Sequence, residues 1–283
     1  PKNILLLTPF APPNLGGAET HLEDLYEYLR HHDYRVTLLT YQPLSHNLEG
    51  LPLEKKENLT IYRYRWFGHN LFAKFESYPP IFNFLYITPY LFFRSFIYML
   101  RHHKEVDILH TFGLNGAFIV RILKILFRKK SVMSMEALYN FDPATPLGKI
   151  SRWVLKGLDA ILVGSEESAE DVLKLKLPRD KVIEYTHWIN LDRFKPLNKK
   201  EIKRELKWEE SFTALYVGRL IKIKGIEVFI DVAKKLPNIQ FKVIGDSGPE
   251  MGKALEADKA LSNFKFLGKI DNPKIAPYFA AAD

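Results

Sequence analysis

Two turns in the 283-residue chain carry residue types suited to holding an anion. The first is Pro13-Asn14-Leu15-Gly16-Gly17-Ala18-Glu19. Paired glycines bring backbone N–H groups close to a ligand, and a helix starting there adds about half a positive charge, so the loop suits a phosphate or a sugar hydroxyl. A plain turn whose glycines ease a strand-to-helix corner explains the same residues, and both readings stand. The second turn is Val217-Gly218-Arg219-Leu220-Ile221-Lys222-Ile223-Lys224-Gly225. Arg219 and Lys224 flank it, placed so that both heads can converge on one pyrophosphate beside a helix N-terminus. Two fixed cations there would stabilise charge growing on a leaving diphosphate. A solvated basic turn is the alternative. A third stretch, Val243-Ile244-Gly245-Asp246-Ser247-Gly248-Pro249, can lie along a nucleotide or simply start a helix. The G-x-G-x-x-G fingerprint is absent, which argues against an ordinary NAD enzyme.

Such turns need strands to hold them. Asn3-Ile4-Leu5-Leu6-Leu7-Thr8 is a continuous apolar run of the kind buried in a parallel sheet, and it leads into the first glycine loop. Leu22, Leu25, Tyr26 and Leu29 then recur at helical spacing, and a second strand covers residues 35–40. This βαβ unit predicts an α/β fold with a parallel, doubly wound sheet. Strands over 106–110, 131–135 and 159–163, with a helix over 116–127, continue it. In open sheets of this type ligands bind outside the carboxyl ends of the strands. After a charged stretch the alternation resumes with strands over 212–217, 240–244 and 264–267. The expected division is a first lobe at 1–196, a linker helix at 197–211 and a second lobe at 212–283. That second lobe is about half an ordinary domain, so it is expected to be incomplete.

Composition narrows the partners. A net charge of +8 favours anions. With no cysteine there is no disulfide framework, no thiolate nucleophile and no thiolate zinc site, which fits a reducing, cytoplasmic setting. No signal peptide and no membrane span are expected, because the longest uncharged run, 77–93, is broken by Pro79, Pro80 and Pro89. Aromatic residues crowd 62–98 among Arg63, Arg65, Lys74 and Arg94, a mixture suited to a lipid headgroup boundary at the inner face of the cell membrane. The competing expectation is a core helix with Tyr86, Tyr90, Phe93 and Ile97 as its buried stripe. Arg121, Lys124, Arg128, Lys129 and Lys130 form a second basic stretch, suited to an anionic lipid surface. Nucleic acid is not expected as a partner, since no recognised binding module accompanies the charge.

The order of these pieces resembles the retaining glycosyltransferases of the GT-B fold, in particular the large family-four group that uses nucleotide-activated sugars. The resemblance runs through Gly16-Gly17-Ala18-Glu19, Asp107-Ile108-Leu109-His110, Asp159-Ala160-Ile161-Leu162-Val163-Gly164-Ser165-Glu166, Asn190-Leu191-Asp192-Arg193-Phe194, Val217-Gly218-Arg219-Leu220, Lys224-Gly225 and Gly245-Asp246-Ser247-Gly248-Pro249. It implies two Rossmann-like lobes and the transfer of a sugar from a nucleotide-sugar donor to a hydroxyl of a glycan or lipid-linked acceptor. Gly218, Arg219, Lys224, Gly245 and Asp246 would bind the donor, Gly16, Gly17 and Glu19 would form the loop on the acceptor side, and His110 would touch the reacting sugar or acceptor. The leaving phosphate oxygen would take the acceptor proton on the same face, with no cofactor, metal or protein nucleophile required.

Three departures qualify that pattern. Phe112 stands where many relatives carry a second histidine, and His187-Trp188 replaces an Asn-Gly pair. The late motif of two glutamates that binds donor sugar and ribose would fall after Asp283. The 283 residues alone are therefore expected not to turn over. The alternative is a non-catalytic protein that binds an acceptor or lipid and takes its catalytic half from another chain; a nucleotide-sugar epimerase is disfavoured by the Gly-Arg-Leu to Lys-Gly pattern.

Overall fold

The computed structural model describes residues 1–283 other than 15, 45–47, 67–70, 72–74, 76–77 and 246–247, with backbone only at 80 and 273. It divides into two compact units, Pro1–Trp188 and Ile189–Asp283.

In the first unit β1 (Asn3–Leu7), β2 (Arg35–Tyr41), β3 (Leu53–Lys56), β4 (Leu59–Tyr64), β5 (Ile108–Phe112), β6 (Lys130–Met135), β7 (Ala160–Val163) and β8 (Val182–Glu184) form one sheet in the order β3-β4-β2-β1-β5-β6-β7-β8. All neighbours run parallel except β3 and β4. Helices α1 (Gly17–His31), α2 (Pro80–His102), α3 (Gly113–Phe127), α4 (Pro146–Lys156) and α5 (Glu166–Leu173) accompany it. β1 shows why the strands read as unbroken apolar runs. Its alternate residues serve two cores: Leu5 and Leu7 join Leu91, Leu109 and Val120, while Ile4 and Leu6 join Leu22 and Tyr26 of α1. Thr145 and Ser165 cap α4 and α5, each side-chain oxygen accepting an N–H three residues on.

The aromatic and basic segment is part exposed and part structural: Arg65, Tyr78, Phe82 and Leu85 lie at the surface, whereas several of its cations are tied into the fold. Arg63 is 6% exposed. Its Nε donates to the Pro12 carbonyl at 2.9 Å, and its Nη1 donates to the Leu51 carbonyl at 3.2 Å and to Glu54 at 2.9 Å. Arg94 lies 4.1 Å over the Tyr64 ring, and Lys124 pairs with Asp159 at 2.7 Å. Lys74 falls outside the described residues. A core helix does occupy 80–102, yet its buried stripe is Ile87, Leu91, Ser95 and Met99, so Phe93 points outward at 56% exposure. The expected stripe is offset because two polar residues, Thr88 and Ser95, take core positions; the Ser95 hydroxyl donates to the Leu91 carbonyl at 2.7 Å. No helix among the described residues is long and apolar enough to cross a membrane.

The second unit contains a parallel sheet of β9 (Thr213–Val217), β10 (Gln240–Ile244) and β11 (Phe264–Gly268) in the order β11-β10-β9, with α6 (Lys199–Glu205), α7 (Ile226–Lys235), α8 (Met251–Ala260) and α9 (Ala276–Ala281). Leu220, Ile226, Ile230, Phe241, Val243 and Phe264 form its core. Both units are Rossmann-like. Residues 189–196 group with the second unit, eight residues ahead of the expected division, and Phe194 packs edge-on against Phe279. The stretch read as a linker is also tied in. Buried Lys203 of α6 donates to the Asp283 carboxylate at 2.7 Å and to the Ser211 carbonyl at 2.6 Å. Lys203 and Lys199 together hold the Asp283 carboxyl far below the usual carboxylate range.

Candidate functional site

In the first unit a cleft of about 200 Å³ opens outside the carboxyl ends of β1, β5 and β6, with Thr8, Glu19, Phe112, Asn115, Glu136 and Tyr139 in its wall. Gly16 caps α1, and its carbonyl accepts from the Thr20 N–H at 3.1 Å. A Cβ at Gly16 would overlap the Glu19 carboxylate, which folds back over the loop. That carboxylate sits at the positive end of α1. The loop thus brings a carboxylate to the cleft, able to accept hydrogen bonds from hydroxyls.

His110 lies in the middle of β5, 8% exposed, with Nε2 2.9 Å from Ser134 Oγ and its ring stacked on Phe112 at 5.3 Å. Burial, helped by the neighbouring His21, pushes its pKa down to about 4, so it is neutral at pH 7. Phe112, two residues on, lines the cleft where His110 does not.

Beside the cleft stands a cluster absent from the sequence reading. His21, in the second turn of α1, has Nδ1 3.0 Å from a Glu136 carboxylate oxygen. The Tyr185 hydroxyl donates to Glu136 at 3.2 Å and lies 3.5 Å from the Nδ1 atoms of both His21 and His187. Trp188 closes over His21, ring centroids 3.9 Å apart. Burial and the Glu136 carboxylate push the Tyr185 hydroxyl above the usual phenol range. His21, Glu136 and His187 offer ligand atoms within 4.8 Å of one another, a grouping able to hold a metal ion. The cleft's far wall depends on Asp171, 2% exposed, whose carboxylate accepts the N–H groups of Tyr139, Asn140 and Phe141 at 2.9 to 3.1 Å. Tyr139 in turn accepts the Leu114 N–H at the start of α3.

In the second unit the ends of β9 and β10 cross closely. The Gly218 N–H donates to the Ile244 carbonyl, and the Gly245 N–H to the Gly268 carbonyl, each at 3.0 Å. A Cβ at Gly245 would overlap the Gly218 carbonyl oxygen, so this crossing requires glycine. Lys222–Lys224 make a 3-10 turn, and Gly225, at φ +75°, turns the chain into α7. Arg219 and Lys224 are both exposed on this strand-to-helix turn, with no ion-pair partner among the described residues. Asp246 lies outside the described residues.

His21, Glu136 and Tyr139 were missed by sequence reasoning. One signal existed: Glu136 directly follows a strand, at the carboxyl end where ligands are sought. His21 was camouflaged beside Leu22 and Leu25 on the apolar face of α1.

The profile of Glycosyltransferase Family 4 matches residues 15–193, and that of Glycosyl transferases group 1 matches residues 198–283. The phosphatidylinositol N-acetylglucosaminyltransferase GPI3 subunit of Saccharomyces cerevisiae is 21% identical over 296 aligned positions, covering 99% of this chain and 61% of the yeast protein. The chain thus spans about three fifths of that relative's length. Among solved structures, the sucrose-phosphate synthase of Thermosynechococcus elongatus superposes with a TM-score of 0.76 at 18% identity, over 100% of this chain and 74% of the synthase. Anabaena HepE in complex with UDP and glucose superposes at 0.72 with 16% identity, over 100% and 72% of the respective chains.

Proposed function

The chain belongs to glycosyltransferase family 4 and has the GT-B fold, and on that premise we propose that it serves the transfer of a sugar from a nucleotide-sugar donor to a hydroxyl acceptor, with retention of anomeric configuration. The observation that carries the donor half is the exposed pair Arg219 and Lys224 on the turn between β9 and α7. Two cations beside a helix N-terminus match a diphosphate and stabilise its charge as the sugar–oxygen bond breaks. Gly218 and Gly245 let backbone approach the ligand at the same strand ends. In this reading the diphosphate oxygen takes the acceptor proton as the acceptor oxygen bonds to the anomeric carbon, so the transfer needs neither a protein nucleophile nor a metal ion. The two-glutamate motif is not among these 283 residues, so the proposal assigns them the diphosphate and acceptor sides only.

The acceptor half rests on the cleft of the first unit, where Glu19 can accept from hydroxyls beside the ring of Phe112. A lipid-linked acceptor is supported by the yeast relative, whose name specifies phosphatidylinositol. It is supported also by α4, where Leu147, Ile150 and Trp153 are exposed along one face among Lys149, Arg152 and Lys156. That face suits peripheral contact with an anionic bilayer.

The test is titration of the chain with UDP and GDP by calorimetry, with a parallel arm of cosedimentation on phosphatidylglycerol vesicles. At least one nucleotide binds, and Arg219→Ala with Lys224→Ala weakens it about a hundredfold, the order lost with a preorganised charge donor. Affinity unchanged by both substitutions, or no binding of either nucleotide, removes the donor assignment. Failure to sediment removes the bilayer contact alone.

A further inference from the structure

Glu136 is a carboxylate in an awkward place. It is 13% exposed, walled by aromatic rings, and its partners among the described residues are a histidine ring and a phenol, with no lysine or arginine. A desolvated carboxylate calls for a compensating cation. Around it the chain gathers donors of one kind. His21 Nδ1 lies 3.0 Å from its carboxylate, and the Tyr185 hydroxyl lies 3.2 Å from the carboxylate and 3.5 Å from both imidazole Nδ1 atoms. A tetrahedral zinc ion with bonds of about 2.0–2.1 Å spreads its donors about 3.3–3.4 Å apart, a spacing that the His21–Glu136 pair at 3.0 Å comes close to. The three ligand atoms span at most 4.8 Å, which leaves roughly 1.5 Å of closure for the outermost.

We propose that His21, Glu136 and His187 form a binding site for one divalent transition-metal ion of the zinc class, with the Tyr185 hydroxyl beside the fourth coordination position. Two imidazoles and a carboxylate are a ligand set that zinc favours. Of the two ring nitrogens of His21, Nδ1 faces the Glu136 carboxylate and is the one placed to ligate the ion, while the buried Nε2 has no hydrogen-bond partner among the described residues. His187 is exposed, and one close neighbour limits its ring. Its Nε2 rests against Gly164, where a Cβ would overlap it, while its Nδ1 faces Tyr185. Gly164 follows β7, Glu136 follows β6, and Tyr185 and His187 follow β8, so an ion held by Glu136, His187 and His21 would clip two strand ends to α1. His187 belongs to the His-Trp pair that departs from the family pattern, so the site is expected in this chain and not in relatives with Asn-Gly there. Its role is structural, separate from the transfer chemistry proposed above, and it stands whether or not that proposal does.

The experiment is equilibrium dialysis and calorimetry of the 283-residue chain with zinc chloride, repeated with cobalt(II), whose visible absorption reports tetrahedral coordination. One ion binds per chain at micromolar or tighter affinity, with intense cobalt bands. Glu136→Gln, His187→Ala and Gly164→Ala each weaken binding about tenfold or more. His31→Ala, an exposed histidine elsewhere on α1, leaves it unchanged. Gly164→Ala removes no ligand and acts only by crowding the His187 ring, and circular dichroism shows that each variant is folded. No binding at micromolar zinc by the folded parent chain overturns the proposal, as does parental affinity in His187→Ala and Gly164→Ala.

Discussion

Replacing Asp171 with alanine is expected to destabilise the first unit by about 3–5 kcal/mol and to loosen one wall of the cleft. The carboxylate is 2% exposed and accepts three consecutive N–H groups, from Tyr139 at 3.1 Å and from Asn140 and Phe141 at 2.9 Å. Alanine removes all three acceptors together. Phe141 is buried, so its N–H bears the full penalty of an unmade bond, roughly 1–3 kcal/mol. Asn140 is exposed and Tyr139 half-buried, so water can replace the acceptor there at about 1 kcal/mol each. The ion pair with Lys174 at 3.2 Å adds little, because that lysine is 54% exposed. Asparagine keeps one acceptor oxygen but turns an NH₂ toward an N–H, so Asp171→Asn falls between parent and alanine. Urea denaturation followed by tryptophan fluorescence measures the loss. Amide exchange at 139–141 distinguishes local from global weakening. A loss below about 1 kcal/mol in Asp171→Ala, or unchanged exchange at those amides, would refute the assignment of the loop to this carboxylate.

Two further outcomes are expected. His110 is held neutral, its pKa lowered from about 6.5 to about 4 by burial; the unfolded chain takes up that proton first as pH falls, so the stability present above pH 6.5 is progressively lost down to about pH 4, by up to about 3 kcal/mol. His110→Gln should flatten this part of the pH–stability profile, and an imidazole titrating near 6.5 in the folded chain by NMR would contradict it. Gly245→Ala should lower stability by roughly 1–3 kcal/mol through overlap with the Gly218 carbonyl and weaken nucleotide binding; parental melting temperature and affinity would show the crossing to be dispensable.

The parts legible in the sequence are those where one periodicity and one burial state coincide. β1, β5 and β9 are parallel strands that read as short apolar runs, and α1 buries the stripe that Leu22 and Tyr26 announce. The hairpin of β3 and β4 gave no such signal. β3 is Leu-Glu-Lys-Lys, an edge strand with lysines exposed, and its partner hides Arg63 on the inner side. An arginine in a run of tyrosines reads as a headgroup contact; only the Pro12 and Leu51 carbonyls and Glu54, brought near by tertiary folding, make it a buried structural ion. The site divides along the same line. Turn residues such as Gly218, Arg219, Lys224 and Gly245 are local in sequence, so spacing can nominate them as a candidate site. His21, Glu136, Tyr185 and His187 come from α1 and from behind two strands, and no window of sequence contains them together. The parallel crossovers unite them, because each returns the chain to the same edge of the sheet. Candidate sites on this fold are therefore legible where a single turn carries them, and hidden where several strand ends must combine.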